Sequence, residues 1–160
     1  MTDTYAEITD RAQWYQLSAN AVYIHGGHDP VYGAGSAYLS SYKDADGNFL
    51  NGSNQYKLNV PADVPVANFW SVAVYDNATR SMIDNAQGRI ARGSTDEGLV
   101  VNEDGTIDLY FGATLPEGAP ATNWVQTNEG DGWFSLFRFY GPEKPYYDRS
   151  FQLNDFEKIN

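Results

Sequence analysis

Apolar and polar positions along the chain follow two rhythms. From Asp10, the residues Trp14, Leu17, Ala21 and Ile24 recur at spacings of three and four, which predicts one face of a helix over about residues 9–25. Thr9 or Asp10 caps it, and Gly26-Gly27 ends it. After that, short runs with a period of two are separated by turn residues, the pattern of strands. Ser36 to Tyr42 is the first of these, followed by the turn-rich KDADGNFLNGSN. QYKLNVP places Tyr56, Leu58 and Val60 on one face and Gln55, Lys57 and Asn59 on the other, a half-exposed strand closed by Pro61.

NFWSVAVYD, from Asn68 to Asp76, is apolar on both faces and reads as a central strand that leaves through the turn DNATRSM. Residues 84–97 are polar and contain glycines, so they read as a long loop. GLVVNEDGTIDLYFG predicts a hairpin: one arm at Leu99 to Val101, a turn at Asp104-Gly105, and a second arm with Ile107, Leu109 and Phe111 inward and Asp108 and Tyr110 opposite. ATLPEGAPATNWVQT is another loop, and WFSLFRFY is the last strand, stopped by GPEKPYY. Six or so strands with long connections lack the intervening helices of a parallel α/β fold. They predict a mainly β chain, an antiparallel β-sandwich of jelly-roll type with one N-terminal helix. A length of 160 residues fits a single domain over 1–160, with the helix at about 9–25 and the sandwich at about 36–157.

Charge narrows the partners. Ten basic against twenty-one acidic residues give a net charge of -11, a field that repels a phosphate backbone, so no nucleic-acid partner is expected. An anionic membrane surface is disfavoured for the same reason, and no apolar run reaches the length of a bilayer span. The opening MTDTYAEITDRAQWYQ has neither a basic nor an apolar leader region, which predicts a soluble chain without an export signal of its own and leaves its localisation unknown. With no cysteine, disulfides and thiolate chemistry are excluded. Aromatic residues make up 15% of the chain, twelve of them tyrosine, which suits either an aromatic β core or a sugar-stacking platform.

Arg138 is the residue that raises a chemical question. On the last strand, Phe134, Leu136, Arg138 and Tyr140 share one face, and Trp133, Ser135, Phe137 and Phe139 the other. Neither face is polar, so the guanidinium needs a partner, and Asp108 or Asp76 is the natural carboxylate for a structural ion pair. The functional alternative is an anion-binding arginine at the floor of a pocket, suited to a carboxylate or phosphate. The two histidines, His25 and His28 in IHGGHDP, lack a third ligand, and a loop without metal is the expectation. KDADGN begins like a calcium loop, with Asp44, Asp46 and Asn48 alternating. Phe49 and Gln55 stand where an EF-hand needs Gly and Glu, so an acidic turn is expected. No nucleophile elbow, Walker loop or dinucleotide fingerprint occurs, and no cofactor is expected.

Five blocks in order, YKDADGNFLNGSNQYKLNVP, NFWSVAVYDNATRSMI, GLVVNEDGTIDLYFG, NWVQT and GWFSLFRFYGPEKPYYDRSF, resemble the bacterial domain-of-unknown-function family numbered 1214, over about Arg11 to Glu157. Its members usually follow, as C-terminal partner, the family numbered 1254, which is missing here. That departure implies a stand-alone version or a chain that lost its N-terminal half. HGGHDP matches none of the family's blocks. The resemblance implies a jelly-roll-like sandwich and carries no settled activity. Trp70, Tyr75, Asp76, Arg80, Asp108, Tyr110, Trp124, Arg138 and Tyr140 fall in its blocks, none with an agreed catalytic role.

The expected function is a small-molecule or carbohydrate-binding accessory module. Trp124, Tyr110, Tyr140, Trp70 and Arg138 are the ligand-binding candidates, with Trp124 either bordering a pocket or anchoring its loop. The alternatives are a hydrolase-like enzyme using Asp76 or Asp108 with Arg80 or Arg138, and a scaffold that assembles as a homo-oligomer.

Overall fold

The computed structural model describes residues 31–159. The helix expected over 9–25 and the His25/His28 loop lie outside the described residues. The chain divides between Val31 and Tyr32, and every described element lies in the part from Tyr32 onward. It is mainly β: β1 is Ser36–Ser41, β2 Tyr56–Val60, β3 Val66–Asp76, β4 Ala91–Gly93, β5 Ile107–Gly112, β6 Trp124–Gln126, β7 Trp133–Pro142 and β8 Glu157–Lys158. A 3-10 turn at Ala121–Asn123 and a short helix, α1, at Lys144–Tyr147 complete the described elements. Among the described residues no helix is long and apolar enough to cross a membrane.

The strands form two four-stranded sheets, ordered β1-β7-β3-β4 and β6-β5-β2-β8. In the first, the larger, all neighbours are antiparallel, and β3 and β7 pair continuously from Phe69↔Tyr140 to Asp76↔Trp133. One pair in the second sheet departs from the antiparallel expectation: β5 and β6 run parallel, with Tyr110 opposite Trp124. The eleven-residue connection between them is long enough to carry the chain back to the same end before β6 begins.

Alternation assigns the faces. Leu58 and Val60 from β2, Leu109 and Phe111 from β5, and Val125 from β6 meet Val72, Val74, Phe137 and Phe139 from the larger sheet in one core, none more than 1% exposed. Trp133 binds the two sheets together, stacking on Phe111 at 5.5 Å and meeting Tyr56 and Phe156 edge-on. Such aromatic contacts add about 0.5–1.5 kcal/mol each beyond the area they bury.

Two segments differ from the sequence expectation. Leu99–Val101 forms no strand, and Val100 and Val101 are exposed. The buried Asn123 side chain takes both backbone groups of Val100, accepting from its N–H at 2.9 Å and donating to its C=O at 2.8 Å. An amide side chain therefore replaces the strand ladder there. Conversely, β4 lies inside the stretch expected to be a loop. Gly93 makes this possible, because a Cβ at that position would come within 2.7 Å of the Trp70 carbonyl.

Candidate functional site

The outward face of the larger sheet holds the unusual chemistry. Register places Tyr38, Arg138, Ser71 and Gly93 in one row across β1, β7, β3 and β4. On one side of it, Ser40, Leu136, Ala73 and Ala91 form a row of small or apolar residues. On the other, Tyr140 lies beside Phe69 with ring centroids 4.1 Å apart. Beyond the small row, Tyr42, Phe134 and Tyr75 stack in series at 4.8 and 5.2 Å. No Asp or Glu stands at an outward position of these four strands, in a chain of net charge -11.

Arg138 is half-buried on this face. The expected carboxylate partner is absent among the described residues, whose ion pairs are Lys57–Glu157, Arg89–Asp96 and Arg92–Asp96. Instead, Arg138 Nη2 donates to the Tyr75 hydroxyl, and its Cζ lies 5.6 Å from the Tyr75 ring centre. Burial pushes its pKa down, but the Tyr75 and Tyr140 oxygens outweigh that and hold it above the ordinary value. The guanidinium stays charged, and a hydroxyl dipole does not neutralise it. Strand order explains the miss: Asp108 belongs to β5 in the other sheet, and its Oδ1 accepts from Asn59 at 2.8 Å.

Asp76 is equally unavailable. Its Oδ1 accepts from Thr79 N at 2.6 Å, Thr79 Oγ1 at 2.8 Å and Ala78 N at 2.9 Å, closing the turn after β3. These bonds, Thr79 first, lower its pKa, with the Arg80 charge adding to them. A general acid needs the opposite shift. Of the two carboxylates considered with an arginine for a hydrolase, Asp108 lies on the smaller sheet, and Asp76 lies near Arg80 of its own turn. Arg80 leaves the same turn in a left-handed conformation, φ 62°, donates Nη1 to Asn77 Oδ1, and lays its guanidinium 5.6 Å from the Phe134 ring and 5.9 Å from Tyr42.

The remaining ligand-binding candidates separate. Trp70 is 5% exposed and stacks on Phe137 in the core. Trp124 and Tyr110 are neighbours, half-buried on the outward face of the smaller sheet, away from Tyr140. Trp124 opens β6 and not a loop, and its indole N–H donates to the Gly112 carbonyl at 3.1 Å. Asp44, in the acidic turn, accepts from Asp46 N and Asn48 N through Oδ1. Among the described residues no group of three or more histidines or carboxylates is placed to share a metal ion.

Sequence reasoning missed Arg92. Its side chain is directed inward from β4 and only 5% exposed; Nε donates to the Trp124 carbonyl at 3.1 Å and Nη2 to the Ala121 carbonyl at 3.0 Å, with Asp96 at 3.8 Å. Period two through Ile90, Ala91 and Arg92 is too short a signal to mark a strand inside a polar stretch.

Fold and face together define a two-sheet β domain that presents an arginine in a tyrosine setting. The chain belongs to the family described as protein of unknown function (DUF1214), which matches residues 35–144. It is similar to the VPA0106 protein from Vibrio parahaemolyticus, with 26% identity and a TM-score of 0.71 over 88% of this chain and 34% of that one. The chain thus spans about a third of that protein's length. A putative uncharacterized protein from Burkholderia cenocepacia aligns at 17% identity and TM-score 0.44, over 98% of this chain and 45% of the other. No curated protein matches the chain.

Proposed function

We propose that this domain is a non-catalytic binding module whose outward β1-β7-β3 face takes a small anionic molecule through a carboxylate or phosphate group at Arg138. The observation that carries this reading is a half-buried guanidinium with tyrosine hydroxyls around it and no carboxylate at any outward position of its sheet. A cation removed from part of its water gains most from a charged acceptor, and hydrogen bonds to charged groups contribute about 1.5–3 kcal/mol.

Ring orientation favours an anion over a stacked sugar at this place. Tyr42, Phe134 and Tyr75 cover one another's faces, as do Phe69 and Tyr140, with interplanar angles of 13–20°. A sugar stacks on ring faces, whereas ring edges carry the positive end of the quadrupole and suit negative oxygen.

Calorimetric titration with octanoate, benzoate and inorganic phosphate, with glucose as the neutral control, tests the proposal. Saturable binding of at least one anion, lost in Arg138→Gln and absent for glucose, is the expected result. Binding of glucose alone, or anion binding unchanged in Arg138→Gln, overturns it.

A further inference from the structure

Resting on the reading of Arg138 as an anion site, we infer that the ligand is a monocarboxylate whose acid group is held jointly by the Arg138 guanidinium and the Tyr75 hydroxyl. A guanidinium only donates, so in the contact between Arg138 Nη2 and Tyr75 the tyrosine oxygen is the acceptor. The hydroxyl keeps its own hydrogen, and no acceptor takes that hydrogen among the described residues. Arg138 uses one N–H on Tyr75 and retains the others. Two neighbouring donor groups, one of them cationic, thus remain open on half-buried side chains. The two oxygens of a carboxylate suit them.

The existing contact strengthens the hydroxyl as a donor. An O–H whose oxygen accepts from a cation is polarised, and hydrogen bonds in series reinforce one another. Its position is fixed too. The Tyr75 ring stacks on Phe134 at 5.2 Å, and Phe134 stacks in turn on Tyr42 at 4.8 Å. The fold therefore orders this donor before a ligand arrives, which lowers the cost of binding.

Charge selects the kind of acid. Arg138 is the one charged side chain at an outward position of the four strands. Arg80, the cation on the other side of the stack, already interacts with the charge of Asp76 in its own turn. A monoanion matches the single charge on offer. A phosphate ester carries nearly two charges at neutral pH, and the second would face a chain of net charge -11 without a cation to meet it.

Tyr75→Phe separates two roles with opposite signs, because it deletes the hydroxyl and keeps the ring. A tyrosine that merely occupies Arg138 competes with the ligand, so its removal leaves binding unchanged or tighter. A tyrosine that donates to the ligand weakens binding when removed. Benzoate and phenyl phosphate share a ring and differ in charge, and octanoate is transparent where tyrosine absorbs. Calorimetry with all three is run on wild type and Tyr75→Phe, the variant being checked for an unchanged melting transition. Benzoate should bind wild type roughly threefold or more tighter than phenyl phosphate. Tyr75→Phe should weaken benzoate and octanoate about tenfold, the loss expected for one hydrogen bond to a charged group. Saturating octanoate should shift tyrosine absorbance to the red in wild type and not in Tyr75→Phe. Unchanged or tighter binding in Tyr75→Phe, no tyrosine shift in wild type, or phenyl phosphate binding as tightly as benzoate overturns this inference alone. If neither octanoate, benzoate nor phosphate binds wild type, the anion site at Arg138 falls, and this inference with it.

Discussion

Arg92 and Arg138 are both arginines on strands of the same sheet, and they differ in the direction they face. Arg92 is directed inward and is satisfied from within, by two backbone carbonyls from the 3-10 turn and β6 and by Asp96 nearby. Arg138 points outward to a tyrosine, and no carboxylate among the described residues pairs with it. One arginine closes the fold by linking β4 to the chain around Trp124. The other keeps charge and donors in excess of what the fold uses. Total burial demands complete satisfaction, whereas partial burial leaves capacity for something that arrives from outside.

Replacing each arginine by methionine should separate these roles. Arg92→Met removes two hydrogen bonds made by a buried charged group, each worth about 1.5–3 kcal/mol, while the Trp124 carbonyl keeps the Gln87 amide at 3.3 Å and the Ala121 carbonyl keeps the Trp124 N–H. We expect Arg92→Met to lose roughly 3 kcal/mol in urea denaturation, with the β4 end of the sheet exchanging its amide protons faster. Arg138→Met should change stability by no more than about 1 kcal/mol in either direction, because the contact removed is half-exposed and the aromatic stack remains. Equal losses would mean that Arg138 is as structural as Arg92.

A smaller effect concerns the turn that presents Arg80. The Asp76 pKa is lowered in the folded state by its bonds to Thr79 and Ala78, so its ionised form stabilises the fold at pH values above the unfolded carboxylate range. That contribution fades as pH falls through the lowered folded value. Asp76→Asn keeps an acceptor oxygen but removes the charge. Wild type should therefore be more stable than Asp76→Asn at pH 6, with the difference shrinking as pH falls below the ordinary carboxylate value of about 3.9 and vanishing once it passes the lowered folded value. A difference that grows on acidification would show that the carboxylate is not stabilised by its turn.

The parts legible from sequence are those where alternation decides the outcome. Tyr56, Leu58 and Val60 are inward, and β3 is central between β7 and β4, as their patterns indicate. Arg138 stood out for the same reason, as one charge on an aromatic strand. Its partner was not legible, because alternation says which residues share a face and nothing about which strands share a sheet. Asp108 looked adjacent and lies on the opposite sheet. The Leu99–Val101 arm was lost to a single buried side chain, Asn123, which no periodic pattern announces. β4 and β6, three residues each, are too short for any period to register.

The contrast between the two arginines can be observed in one spectrum. In a nitrogen-edited experiment on arginine Nε–H groups, Arg92 and Arg138 give separate resonances assignable with the two methionine variants. On titration with octanoate, the Arg138 resonance should shift progressively and saturate while Arg92 stays still, since its donors already meet the Trp124 and Ala121 carbonyls. An Arg138 resonance that does not move at saturating octanoate, benzoate or phosphate would contradict the claim that this face receives an anion.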